Sequence, residues 1–207
     1  DVVFDCDGHT IQGEGDYGIY VTADNVTVRN CNINITGEGE EGISYEDVDN
    51  GTIDNNNISV EKRWGISLES SSGNKITNNN LSIEARYGIY LDGKDNIILN
   101  NEISANNRVI YLHTNADNNT ITDNYISSDE DHGIYLNTNA DNNTITDNYI
   151  SSDADYGIYL TSSSDNNITD NNISAVNEYG IYLETGSDNN LISYNNVSAY
   201  NDYGIYI

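Results

Sequence analysis

The chain has 207 residues, with 34 Asp or Glu against seven Lys or Arg, for a formal net charge of −27 at pH 7. So acidic a chain repels nucleic acid and anionic membranes, and no apolar run approaches the roughly 20 residues of a membrane span. Only 36% of residues are hydrophobic, too few for a large globular core, whereas a narrow core of one residue type stacked on itself needs far less.

From the N-terminus, short apolar stretches alternate with Asp, Asn and Gly. Val2-Val3-Phe4 is followed by Ile11, then by Gly18-Ile19-Tyr20-Val21. That last motif, Gly-Ile-Tyr-Leu or a near relative, restarts at Gly42, Gly65, Gly88, Gly133, Gly157, Gly180 and Gly204, with Val109 in the slot between Gly88 and Gly133; successive markers lie 21 to 24 residues apart. A second marker, Ile-x-x-Asn-x-Ile, begins at Val28, Ile53, Ile76, Ile98, Ile121, Ile145, Ile168 and Ile192. Its Asn slot holds Cys31, Asn56, Asn79, Asn101, Asn124, Asn148, Asn171 and Asn195, and Cys6, His9 and Ile11 fill its three positions in the first turn.

Ile and Tyr favour strands, and Asn, Asp, Ser and Gly favour turns. Three apolar stretches per repeat leave no room for a helix, which argues against a leucine-rich repeat of similar period. The repeat therefore predicts a parallel β-solenoid of about eight to nine turns of 23–24 residues, filling residues 1–207 as one domain with three parallel sheets. Equivalent residues then stack about 4.8 Å apart, with Ile121, Ile145 and Ile168 in one interior column. The Asn slot is expected to point inward and to satisfy its amides from turn to turn. Cys6 and Cys31 fall in interior slots, open either to a disulfide between the first two turns or to packing as free thiols.

The run Val2-Val3-Phe4-Asp5-Cys6-Asp7-Gly8-His9-Thr10-Ile11-Gln12-Gly13, followed by Tyr17-Gly18-Ile19-Tyr20 and Asn25-Val26-Thr27-Val28-Arg29-Asn30-Cys31, resembles the opening of NosD-type right-handed β-helix domains. The resemblance extends over the whole chain. It implies an all-β, right-handed single-stranded parallel β-helix of the kind found in archaeal secreted, surface-layer and adhesin-like proteins, with carbohydrate-binding and sugar-hydrolase relatives. The copper-related role in that family's name finds no Met and only three His here.

Tyr20, Tyr90, Tyr111, Tyr135, Tyr159, Tyr182 and Tyr206 share the position two after the marker glycine. Strand alternation sends them outward, as one aromatic stripe suited to contact or to cross-turn stacking. A second aromatic column, Tyr17, Trp64, Tyr87, His132, Tyr156, Tyr179 and Tyr203, is expected to pack at a corner. Thr114–Asn137 recurs as Thr138–Thr161 with three differences, which suggests copied scaffold, since an active site needs unlike groups in distinct roles. Irregular places are Glu38–Glu41, Glu61 to Trp64, and Asn107-Arg108-Val109 with His113. Asn57, Asn80, Asn172 and Asn196 are sequons in one outward slot, candidates for glycosylation.

Both ends of the sequence look uncapped, as in a fragment or in a subunit that adds head to tail into a filament. These features together predict a structural or adhesive protein of the cell surface or extracellular space, without catalytic site, metal or cofactor, associating with itself or with neighbouring surface proteins. The alternatives are a polysaccharide-binding or polysaccharide-processing β-helix, and a spacer stabilised by calcium at its Asp-rich corners.

Overall fold

The computed structural model describes residues 1–37, 41–84 and 86–207. Three parallel sheets of nine strands each wrap around one apolar interior, and every turn of chain contributes one strand to each sheet. No helix occurs among the described residues. The first sheet runs from Val2–Asp5 to Leu191–Ser193, the second from Thr10–Gly13 to Asn196–Ala199, and the third from Tyr17–Val21 to Ile205–Tyr206.

Register follows the repeat. Ile121 pairs with Ile145 and Ile145 with Ile168 in the first sheet; Ile126, Ile150 and Ile173 align in the second, and Ile134, Ile158 and Ile181 in the third. All nine are buried. Each column excludes water by stacking on its own kind, so a low hydrophobic fraction suffices.

The corner between the first and second sheets explains the Asn-Asn and Asp-Asn doublets. Asn55, Asn78, Asn100, Asp123, Asp147 and Asp170 take left-handed backbone, with φ between 53° and 57°, a region that Asn and Asp tolerate better than other side chains do. The next residue, Asn56, Asn79, Asn101, Asn124, Asn148 or Asn171, is thereby turned inward and buried. Asn148 shows the pattern. Its Oδ1 accepts from the backbone N–H and the amide of Asn124, and its Nδ2 donates to the carbonyls of Ile121 and Thr146 and to Asn171 Oδ1, at 2.9–3.0 Å. Asn195 continues the ladder, half-buried.

A second ladder, not expected from the sequence, lies at the corner leading into the first sheet. Asn74, Asn96, Asn119, Asn143 and Asn166 are buried, and each backbone N–H donates to the amide oxygen of the next turn, with Asn190 receiving the last of these bonds. Gly51 fills the preceding slot, because the interior Tyr45 occupies the space: a Cβ at Gly51 would meet Tyr45 Cε2 at 2.5 Å. The Tyr45 hydroxyl lies 3.0 Å from the Val26 carbonyl and 3.1 Å from that of Thr52.

Cys6 and Cys31 form a disulfide between the first and second turns, with Cα atoms 4.8 Å apart.

Candidate functional site

The outer face of the third sheet carries the tyrosine column. Tyr111, Tyr135, Tyr159 and Tyr182 stack ring on ring at 4.8–5.2 Å and within 7° of parallel. The stripe is not continuous: Ser44 and Ser67 stand between Tyr20 and Tyr90 in the pairing register. Nor is it uniformly exposed. Tyr20 and Tyr206 are exposed, but Tyr111 and Tyr135 are buried at 7% and 9%. Strand alternation does send these rings away from the core, but Arg108 and Asn137 then fold over them. The guanidinium carbon of Arg108 sits 4.9 Å from the Tyr111 ring and 4.6 Å from that of Tyr135, and Asn137 Nδ2 donates to the Tyr111 hydroxyl at 2.8 Å.

The column before the marker glycine packs directly against the first. Trp64 stacks on Tyr90 at 4.4 Å, His132 on Tyr156 at 5.0 Å, and Tyr156 lies 5.1 Å from Tyr159. Burial pushes the Tyr156 phenol up to about 12, so it stays a proton donor across the physiological range.

Charged groups converge where this second column meets the corner. The buried hydroxyl of Ser128 lies 2.8 Å and 2.9 Å from the carbonyls of Asn107 and Asp131, and that of Ser152 lies 2.9 Å and 3.0 Å from those of Asp131 and Asp155. These contacts fix the corner backbone. On that frame His132, its side chain only 7% exposed, lies between two carboxylates: Nε2 is 2.9 Å from Asp131 and Nδ1 is 3.4 Å from Asp155. Arg108 Nε is 3.4 Å from the other oxygen of Asp131. Neither the Nδ1 contact nor the Arg108 Nε contact closes a hydrogen bond, although both atoms are buried.

The two carboxyls are pushed apart. Burial raises Asp131, but the His132 hydrogen bond, the His132 charge and Arg108 outweigh it and hold the group below the usual carboxylate range. Burial dominates at Asp155 and raises it, with the Asp131 charge adding in the same direction. One ligand atom each from Asp131, His132 and Asp155 lies within 4.8 Å of the others. The ring nitrogens face separate carboxylates, however, an arrangement suited to passing a proton rather than to sharing one cation.

The sequence pointed to Arg108 but missed its partners. Asp131 and Asp155 are the same residue in two near-copied turns, and one of the three differences between those turns is His132 against Tyr156. That single exchange was the available signal. Of the other irregular places, residues 38–40 lie outside the described residues. Glu41 is buried, bonded by the Ser67 hydroxyl and 3.0 Å from Arg63, whose guanidinium covers Trp64. Asn57, Asn80, Asn172 and Asn196 lie exposed on the second sheet.

A three-sheet parallel solenoid with unlike titratable groups gathered on one aromatic face defines a β-helix with a candidate active site. The chain belongs to the right-handed β-helix family, whose description matches residues 3–138 and 65–207. Among solved structures it is similar to the DFA-IIIase of Arthrobacter chlorophenolicus A6 in complex with GF2, with TM-score 0.69 and 15% identity, covering 86% of this chain and 50% of that one. It is also similar to the periplasmic alginate epimerase AlgG, with TM-score 0.63 and 14% identity over 90% of this chain and 62% of that one. A third is the A-module of the Azotobacter vinelandii mannuronan C-5 epimerase AlgE6, with TM-score 0.57 and 12% identity over 95% and 79%. Identities this low show the fold alone, and the chain spans about half to three fifths of the first two proteins. A search of curated protein sequences returns no match. The expectation of a non-catalytic chain is corrected by these neighbours, which are enzymes on the same scaffold. Near-copied turns were a poor argument against catalysis, because one exchanged residue makes the set unlike.

Proposed function

We propose that this chain is a carbohydrate-processing β-helix that binds a glycan along the outer face of the third sheet and performs acid–base chemistry on it at Asp131, His132 and Asp155. The observation that carries this reading is the cluster itself, His132 set between two carboxylates with Nε2 2.9 Å from Asp131 and Nδ1 3.4 Å from Asp155. The opposite directions in which their surroundings push the two carboxyls fit the pattern by which one site holds an acid and a base together. Asp155, kept protonated to higher pH, is the proton donor. Asp131, kept ionised, is the base, and His132 between them holds or passes the proton. Arg108 and the phenols of Tyr87 and Tyr156 supply donors for sugar oxygens. An extracytoplasmic location fits the disulfide and the periplasmic setting of one fold neighbour.

The test is turnover of a panel of neutral and uronate polysaccharides, followed by new reducing ends, by unsaturated-product absorbance and by epimer ratio. We expect activity on at least one member, reduced about a hundredfold or more in Asp155→Asn. No product from any member, or full activity in Asp155→Asn, overturns the proposal.

A further inference from the structure

A different face of the molecule carries an exposed aromatic pair beside a groove. On the outside of the second sheet Tyr125 and Tyr149 are exposed at 48% and 42%. Their rings are 4.9 Å apart and 5° from parallel, and the two residues pair across adjacent turns. Tyr149 therefore covers one face of Tyr125. The other face looks toward the preceding turn, where the paired residue is Glu102, and among the described residues no other ring contacts it. That free face walls a groove of about 350 Å³ lined also by Asn78, Asn80, Asn100, Glu102 and Asp123, within the roughly 300–1,000 Å³ of small-ligand sites. Asn78 and Asn80 also line a second groove, of about 640 Å³, which follows the same corner past Asn55 and Asn30 to Asp7.

We propose that this corner is a binding groove for a linear neutral oligosaccharide, separate from the third-sheet face, with one sugar ring stacked on Tyr125. It rests on the preceding reading only for the class of ligand. Each amide carries both donor and acceptor groups for hydroxyls, and Asn100, exposed on this corner, already joins one turn to the next by donating to Asn78 Oδ1 at 2.7 Å. Glu102 and Asp123 accept from sugar hydroxyls, and among the described residues neither has a cationic partner within ion-pair distance. With the chain at −27, a uronate polymer is repelled from this corner. An exposed ring face gives a sugar an apolar surface to stack on.

The experiment uses the Asp155→Asn chain, so that probes survive, titrated with β-1,4-glucan, β-1,4-mannan and β-2,1-fructan hexasaccharides and followed by amide chemical shifts. At least one probe is expected to shift Asn100, Glu102 and Tyr125 saturably. Tyr125→Ala weakens that site roughly tenfold, whereas Tyr125→Phe retains it, and Tyr125→Ala in the otherwise unaltered chain leaves turnover of short substrates unchanged. Shifts confined to the third sheet, no binding by any probe, or equal affinity in Tyr125→Ala overturns the groove. Tyr125-dependent binding without turnover by the unaltered chain leaves the groove standing and removes the catalytic reading. Turnover without Tyr125-dependent binding does the reverse.

Discussion

Two corners of the same turn treat polar side chains in opposite ways. Between the first and second sheets, Asn follows Asn, and each amide is satisfied by the amide above and the carbonyls below. At the entrance to the third sheet, Asn107, Asp131 and Asp155 succeed one another beside Arg108, His132 and Tyr156, and two buried nitrogens are left short of a hydrogen bond. The inward amides of the first corner close their hydrogen bonds by repetition and have nothing left to offer a ligand, so only its outer residues can meet one. The second breaks repetition and leaves donors and charges free to engage one.

The largest effect expected from breaking the regular side is at Ile145, fully buried between Ile121 and Ile168. Ile145→Asp puts an unpaired charge in a dry column and is expected to cost roughly 4–5 kcal/mol, read as a collapse of the urea midpoint. Asn148→Leu comes next. It strands the N–H and amide of Asn124 and the carbonyl of Ile121, for a cost of about 3 kcal/mol with a matching loss of hydrogen-exchange protection in the two adjoining turns. A neutral result would mean that the ladder does not hold the corner.

At the irregular corner the smallest change in stability accompanies the largest in chemistry. Asp155→Asn is expected to alter stability by less than about 1 kcal/mol while removing activity. The sign of the pH dependence follows from the two shifts. Asp131, lowered, contributes stability above the ordinary aspartate range that is lost as pH falls through its folded value. Asp155, raised, contributes stability at low pH that is lost as pH rises through its elevated value. Activity, needing Asp155 protonated and Asp131 ionised, is expected to peak on the acid side of neutrality, with an alkaline limb set by Asp155. An activity flat from acid to neutral pH would separate the cluster from the chemistry.

The regular half of the molecule was legible because its physics is periodic. Ile121, Ile145 and Ile168 recur at one spacing and bury one another, and the Asn124, Asn148 and Asn171 slot follows from the same count. The Asn119, Asn143 and Asn166 ladder carried an equal signal, two residues before each of those isoleucines, but the preceding Asn118, Asn142 and Asp165, which take left-handed backbone, masked it. Burial of Tyr111 and Tyr135 was beyond a two-faced strand pattern, because the cover comes from Arg108, just before the strand of Tyr111, and from Asn137, at the end of the strand of Tyr135 in the next turn. The Asp131–His132–Asp155 cluster was hidden by likeness: the two turns that build it are almost the same text, and the chemistry lies in the difference.

The Asn rungs also determine how the rod bears load. Each joins its turn to one neighbour on either side and to nothing further away, so under axial tension the turns act as links of similar strength in series. Such a rod gives way by peeling one coil at a time from a loaded end, each coil releasing a similar length of slack, and does not rupture everywhere at once. The Cys6–Cys31 bridge is the exception, a covalent tie that keeps the first coil from paying out its full length.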